Sequence, residues 1–120
     1  MVKSFSYAGN GVKEAFKNEP NFRVHTLVGV IAIILAFYFQ MQPLQLAILI
    51  LTIMLVIILE LINTAIEKVV DKISPHYSPL AKVAKDVSAA AVLIAALGAV
   101  LIGLLLFLPY ILPLLSSVIH

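Results

Sequence analysis

The stretch ELINTAIEKVVD, residues 60–71, continues a long apolar segment that begins near Leu44. It carries the polar residues Glu60, Asn63, Thr64, Glu67 and Asp71. The last four follow Glu60 by three, four, seven and eleven residues. At about 100° per residue, this spacing places all five on one stripe of a helix. A charged side chain costs about 2.5–3.5 kcal/mol at the centre of a membrane helix and less near the interface. The stripe therefore indicates a functional site rather than a surface that faces lipid.

The composition is that of a membrane protein. Of 120 residues, 62% are hydrophobic and 12% are charged, and the mean hydropathy is +1.12. Soluble domains are nearer 45–50% apolar and about 25% charged. The length favours a single domain over residues 1–120. Without cysteine, disulfides, thiolate chemistry and cysteine metal sites are excluded. A net charge of +2 is too small to indicate nucleic acid as a partner.

Three apolar segments are long enough to cross a bilayer, which takes about 20 residues. They predict an all-α integral membrane protein with transmembrane helices at residues 24–40, 44–66 and 87–115. Residues 1–23 are too polar to span and predict an amphipathic helix on the membrane surface, weakened by its glycines. We expect Pro109 and Pro113 to fray or kink the end of the third span.

The basic residues fall on one side of such a three-span topology. They are Lys3, Lys13, Lys17, Arg23, Lys68, Lys72, Lys82 and Lys85. The positive-inside rule makes that side cytoplasmic, with the N-terminus inside and the C-terminus outside. All six acidic residues lie on or toward the same side. Any chemistry therefore faces the cytoplasm.

Several common active-site motifs are absent from the sequence, including a Walker A loop, a dinucleotide fingerprint, HExxH and a G-x-S-x-G elbow. The remaining candidates are carboxylates that could hold Mg²⁺, namely Glu19, Glu60, Glu67, Asp71 and Asp86. Lys85 and Ser88, near the expected start of the third span, suggest an anion-binding helix terminus. These are parts used in phosphoryl transfer, and a carboxylate at the membrane boundary could accept a proton from a lipid hydroxyl.

Alternatives remain for these residues. Glu60 alone could be a packing or snorkelling residue, and His25 at the interface could be an anchor. A second hypothesis is a non-catalytic scaffold or a small transporter subunit with acids along a polar path. The position of Glu60 near the cytoplasmic end disfavours that hypothesis, because ion carriers more often place a carboxylate near mid-bilayer. Three spans offer little cover for the stripe, so we expect a symmetric oligomer to shield it.

At these residues the chain resembles the prokaryotic diacylglycerol kinase family. Residues 60–71 are similar to the family pattern E-x-x-N-[ST]-A-[IL]-E-x-x-[VI]-D. Residues 84–93 resemble its AKD-x-x-[SA]-A-[AG]-V-L block, and the N-terminal region matches more weakly. The N-terminal matches are Tyr7, Gly11, Asn18, Glu19, Phe22 and Arg23. The resemblance covers residues 4–95 without an insertion.

The resemblance implies a small homotrimeric kinase in the inner membrane of a bacterium, which transfers the γ-phosphate of MgATP to a lipid hydroxyl. By this resemblance, Glu60 would be the general base, Asn63 and Asp71 would support the site, and Glu19 and Glu67 would bind Mg²⁺ and the nucleotide. Further ATP contacts would come from Tyr7, His76, Tyr77, Ser78, Lys85 and Asp86. The residues near the lipid would be Asn21, Phe22, Arg23 and His25, with Glu60.

The resemblance leaves the lipid open. The loop reads Pro75-His76-Tyr77-Ser78-Pro79-Leu80, where relatives often have P-E-Y-H-P-L. Residues 21–25 and this loop resemble the branch associated with undecaprenol in Gram-positive bacteria. Undecaprenol is thus slightly favoured, and diacylglycerol stays as the alternative.

Overall fold

The computed structural model describes residues 1–119, and in this range the chain forms four helices and no strand. These helices are α1 (Val2–Asn18), α2 (Pro20–Tyr38), α3 (Pro43–Ile73) and α4 (Pro79–Ile119). The last three are long and apolar enough to cross a membrane. The predicted all-α fold with three candidate spans and an N-terminal helix is confirmed.

The junction of α1 and α2 lies earlier than the sequence suggested. The surface helix, expected over residues 1–23, ends at Asn18, and Pro20 opens α2. Glu19 between them is extended, with φ −113° and ψ 101°, because a residue before proline avoids the helical region. Arg23, now in α2, donates hydrogen bonds to the carbonyls of Phe16 (3.3 Å) and Lys17 (3.0 Å). These bonds satisfy carbonyls at the end of α1.

The turn between α2 and α3 closes one end of the bundle, which is called the outer end. Gln40 has a φ of 55°, and its N–H donates to the Phe37 carbonyl at 3.1 Å. The N–H of Met41 donates to the Ala36 carbonyl at 3.1 Å. This is a Schellman arrangement, in which a left-handed residue ends the helix and two apolar side chains meet across the turn. Ala36 and Met41 are both buried there.

Helix α3 packs against α2 on one side and α4 on the other. The buried cluster Ala36, Met41, Leu49 and Leu106 joins all three helices at the outer end. In the middle of the α2–α3 interface, Gly29 lies so close to Ile53 that an added Cβ would be 2.8 Å from the Ile53 Cγ2 atom. Such close approach through a small residue is typical of helix packing in membranes.

At the opposite end of the bundle, called the loop end, α3 and α4 extend beyond the predicted spans. The helices extend to residue 73 and back to residue 79, so the expected loop of residues 72–85 shrinks to residues 74–78. Pro109 and Pro113 lie inside α4, which continues to Ile119 instead of fraying at its end. Prolines are tolerated in membrane helices because local adjustments can satisfy the freed carbonyl groups.

Candidate functional site

Glu60 lies at the buried end of the polar stripe. Only 5% of the residue is exposed, and its Oε1 atom lies 3.2 Å from Nε2 of His25 on α2. Thr64, one turn further along α3, is also buried. The expectation that three spans cannot shield the stripe is therefore wrong for the end that holds Glu60 and Thr64, because helices of the same chain already cover it. The stripe becomes exposed toward Asp71.

The middle of the stripe is joined to α4 by one hydrogen bond. The Asn63 amide donates to Glu67 Oε1 at 3.2 Å, and the Ser88 hydroxyl donates to Asn63 Oδ1. Because α4 already begins at Pro79, Ser88 lies beyond its second turn. The idea that Ser88 marks an open helix N-terminus for an anion is therefore wrong. In the structure Ser88 instead orients the Asn63 amide.

The Asp71 end of the stripe faces a pocket at the loop between α3 and α4. Lys85 Nζ lies 2.7 Å from Asp71 Oδ1, and Lys82 Nζ lies 2.6 Å from Asp86 Oδ2. These ion pairs border a cavity of about 380 Å³ between the ends of α3 and α4. Its polar lining residues are Asp71, Ser74, His76, Tyr77, Ser78, Lys82, Lys85 and Asp86. The structure thus brings the predicted loop residues together with Lys85 and Asp86.

A second polar pocket, of about 330 Å³, surrounds Glu60 between α2 and α4. Its polar lining consists of Asn21, His25, Glu60, Asn63 and Glu67. An apolar groove of about 430 Å³ continues from it toward the outer end, and His25 and Ala96 line both. The buried carboxylate therefore stands where a polar pocket meets an apolar groove.

One of the two residues expected to bind Mg²⁺ lines the pocket around Glu60. Glu67 is part of that lining, and Glu19 is not. Within residues 1–119, no group of three or more His, Asp or Glu side chains is arranged to hold a metal by itself. Magnesium commonly takes only one or two carboxylates and completes its coordination with phosphates and water. The donor set present therefore fits a metal that arrives with a nucleotide.

Other predicted residues lie outside these pockets. Tyr7 is 71% exposed on α1 and lines neither polar pocket. Phe22 is buried, and Arg23 donates a hydrogen bond to the Lys17 carbonyl at the end of α1. The contact of His25 with Glu60 was not foreseen. The sequence gives no clear signal for it, since His25 is 14 residues before the turn at residues 39–42 and Glu60 is 18 residues after it.

Comparisons with known proteins identify the family of this chain. A curated diacylglycerol kinase from Synechocystis sp. is 47% identical over 52 residues, which cover 43% of this chain and 30% of that protein. The matched region is thus less than a third of the relative's length. The sequence profile of the family described as prokaryotic diacylglycerol kinase matches residues 6–107, most of the chain. The chain belongs to the prokaryotic diacylglycerol kinase family.

Proposed function

We propose that this protein is an ATP-dependent lipid kinase, in which Glu60 accepts the proton of a membrane-lipid hydroxyl. The observation that carries the proposal is the position of Glu60, a buried carboxylate at the junction of a polar pocket and an apolar groove. A lipid alcohol has these two parts, a hydrophobic chain and a polar hydroxyl. The family name and the name of the Synechocystis relative support the same activity.

The lipid and the nucleotide would approach from opposite ends of the stripe. Along a helix with a rise of 1.5 Å per residue, Glu67 and Asp71 lie about 10 Å and about 16 Å beyond Glu60. The cavity bordered by Lys85 and Asp86 is at that far end. We assign the nucleotide to this cavity, where Lys85 would neutralise phosphate charge and His76, Tyr77 and Ser78 would contact ATP.

The transfer itself needs positioning and charge neutralisation more than covalent help. The lipid hydroxyl oxygen forms a bond to the γ-phosphorus, and the bond from that phosphorus to the bridging oxygen of ADP breaks. The hydroxyl proton passes to Glu60. Asn63 bonds to both Ser88 and Glu67 and would thereby hold the carboxylates in place between the two substrates.

Mg²⁺ is the cofactor that this donor set would hold. Glu19 and Glu67 would supply its protein ligands, and the ATP phosphates would complete its coordination. The ion would neutralise charge that develops on the transferred phosphoryl group. Asp71 would keep Lys85 oriented until the nucleotide takes over that contact, since the two now form an ion pair.

We further propose a homotrimer in the inner membrane of a bacterium, with the N-terminus in the cytoplasm. The exposure of Asp71, at the end of the stripe, and of Tyr77, in the loop after α3, supports an assembly, because both are open in one chain. The clustering of all basic residues at one end supports the orientation. Tyr7, which lines neither pocket of its own chain, would contact ATP in such an assembly by reaching a neighbouring subunit.

A lipid phosphorylation assay tests the proposal. Purified protein is incubated with labelled ATP and Mg²⁺, with diacylglycerol in one arm and undecaprenol in the other. We expect labelled lipid in at least one arm and favour undecaprenol slightly. No labelled product in either arm would support the alternative of a non-catalytic scaffold or transporter subunit.

Substitution of the base makes the assay specific. Glu60→Gln should lower the rate by about 10²–10⁴-fold, the range over which a general base contributes, while membrane insertion is unchanged. Glu14→Gln is the matched control, because Glu14 is exposed on α1 and bonds only Asn18 within residues 1–119. Normal turnover by Glu60→Gln would exclude Glu60 as the base.

A further inference from the structure

Within residues 1–119, the Glu60 carboxylate has one polar side-chain partner at contact distance, His25. The side chain of Glu60 is 6% exposed and that of His25 is 28% exposed, so the contact lies at the edge of the buried part of the site. Its other neighbours in the polar pocket include Val92 and Ala96, which offer no hydrogen bond. A flexible glutamate in such surroundings would sample several rotamers if nothing held one of its oxygens.

The chemistry of an imidazole suits the task of holding a base. A neutral imidazole with its proton on Nε2 donates one hydrogen bond to Oε1 and leaves Oε2 with free lone pairs. A lysine or arginine at the same place would put a permanent positive charge beside the carboxylate. That charge would stabilise the anion and weaken its ability to accept a proton.

The position of His25 ties it to the substrate path. His25 lines both the polar pocket around Glu60 and the apolar groove between α2 and α4. A lipid whose chain lies in the groove must bring its hydroxyl past this ring to reach Glu60. The imidazole thus stands on the groove side of the carboxylate, while Asn63 and Glu67 stand on the cytoplasmic side.

We propose that His25 is a positioning residue of the kinase, which donates from Nε2 to Glu60 Oε1 and so directs Oε2 at the incoming lipid hydroxyl. The inference rests on the proposed function, because it assigns a task within the same reaction. It assigns no proton transfer to His25. The effect is on the geometry of the base, and a misplacement of about 1 Å can cost 10²-fold in rate.

Two variants separate positioning from simple packing. His25→Leu keeps a similar volume without a donor, whereas His25→Gln keeps an N–H donor. We expect His25→Leu to lower kcat by about 10²-fold with the KM for ATP unchanged, and His25→Gln to retain kcat within about tenfold of the wild type. Equal losses in both variants, or a change in KM alone, would overturn the inference.

A second measurement reads the contact without turnover. In protein labelled with ¹⁵N-histidine, the His25→Gln spectrum identifies the His25 signals among the three histidines. We expect a protonated Nε2 in the wild type and a changed Nε2 shift in Glu60→Gln. An unchanged shift would overturn the inference even if the kinase is active. A wild type that phosphorylates no lipid but shows the coupled shift would instead overturn the proposed function, and the positioning role with it.

Discussion

The two ends of the helical bundle are built differently, although the same three helices form both. At the outer end, four buried apolar residues, a Schellman turn and a ring contact close the structure. At the loop end, α3 and α4 are joined by an amide, a hydroxyl and an ion pair, with two pockets between them. The outer end thus supplies stability, and the loop end keeps polar groups available.

The polar contacts of the two ends also differ in kind, with neutral hydrogen bonds at one end and an ion pair at the other. Gln45 Oε1 accepts from the exposed Gln42 N–H at 3.1 Å and from the partly buried Tyr110 hydroxyl. Lys85 and Asp71 meet with much of each side chain exposed. Exposed ion pairs contribute little to stability because water and salt screen them. The Lys85–Asp71 pair can therefore be broken at little cost in stability.

The largest effect on this comparison is expected from Lys85→Ala. If the pair serves the nucleotide, the variant should lose about 10²-fold in kcat/KM for ATP, the scale of losing one preorganised phosphate donor. Thermal unfolding in detergent should change little. The measurement is lipid phosphorylation over a range of ATP concentrations, alongside the unfolding temperature.

Lys72→Ala is the matched control for Lys85→Ala. It removes the same charge from the exposed last turn of α3 and should leave the kinetics near the wild type. If Lys85→Ala unfolds at a much lower temperature with kcat/KM unchanged, the ion pair is structural. The division of labour between the two ends would then be wrong.

Much of the fold could be read from the sequence because membrane insertion enforces hydrophobicity over whole segments. The spacing within residues 60–71 indicated which face of α3 is turned toward the other helices, since Glu60 and Thr64 are buried and Asn63 bonds to α4. Helix ends were less predictable. Hydropathy indicates where an apolar segment stops, whereas α3 and α4 continue as helices beyond those limits, to Ile73 and from Pro79.

The pair contacts of the site were mostly beyond the sequence. The Asp71–Lys85 pair joins residues 14 apart, and the Ser88–Asn63 bond joins residues 25 apart on different helices. Their partners depend on how α3 and α4 are rotated against each other, which a single sequence leaves open. The proximity of His25 to Glu60 depends likewise on the α2–α3 interface, whose spacing is set by Gly29.

The next effect in size concerns that interface. Gly29→Ala should destabilise the protein by about 1–3 kcal/mol, the usual cost of overpacking, because the new Cβ would lie 2.8 Å from Ile53 Cγ2. Isoleucine is branched at Cβ and has little rotamer freedom in a helix with which to move aside. Reversible unfolding in mixed micelles would measure the change in the free energy of unfolding.

Gly98→Ala provides the control for Gly29→Ala on another helix. Nothing lies within 4 Å of an added Cβ at Gly98, so only the helix propensity changes, in favour of alanine by up to about 1 kcal/mol. We expect opposite signs for the two variants. If Gly29→Ala were as stable as Gly98→Ala, α2 and α3 would not be in close contact, and the placement of His25 beside Glu60 would lose its support.

The smallest effect is expected at the outer end, from Tyr110→Phe. The change removes the hydroxyl that donates to Gln45 but leaves the ring stacked on Phe39, 5.6 Å between centroids. Interhelical hydrogen bonds in membrane proteins average about 0.6 kcal/mol, and Gln45 keeps its bond from the Gln42 N–H, so we expect a loss of that size in the free energy of unfolding.

The control is Tyr38→Phe, at a residue that is 74% exposed, which should leave the free energy of unfolding unchanged. Kinase activity should be unaffected by both substitutions. If Tyr110→Phe instead lowered activity while the unfolding free energy held, the outer end would be coupled to catalysis, and the two ends could not be treated as separate in function.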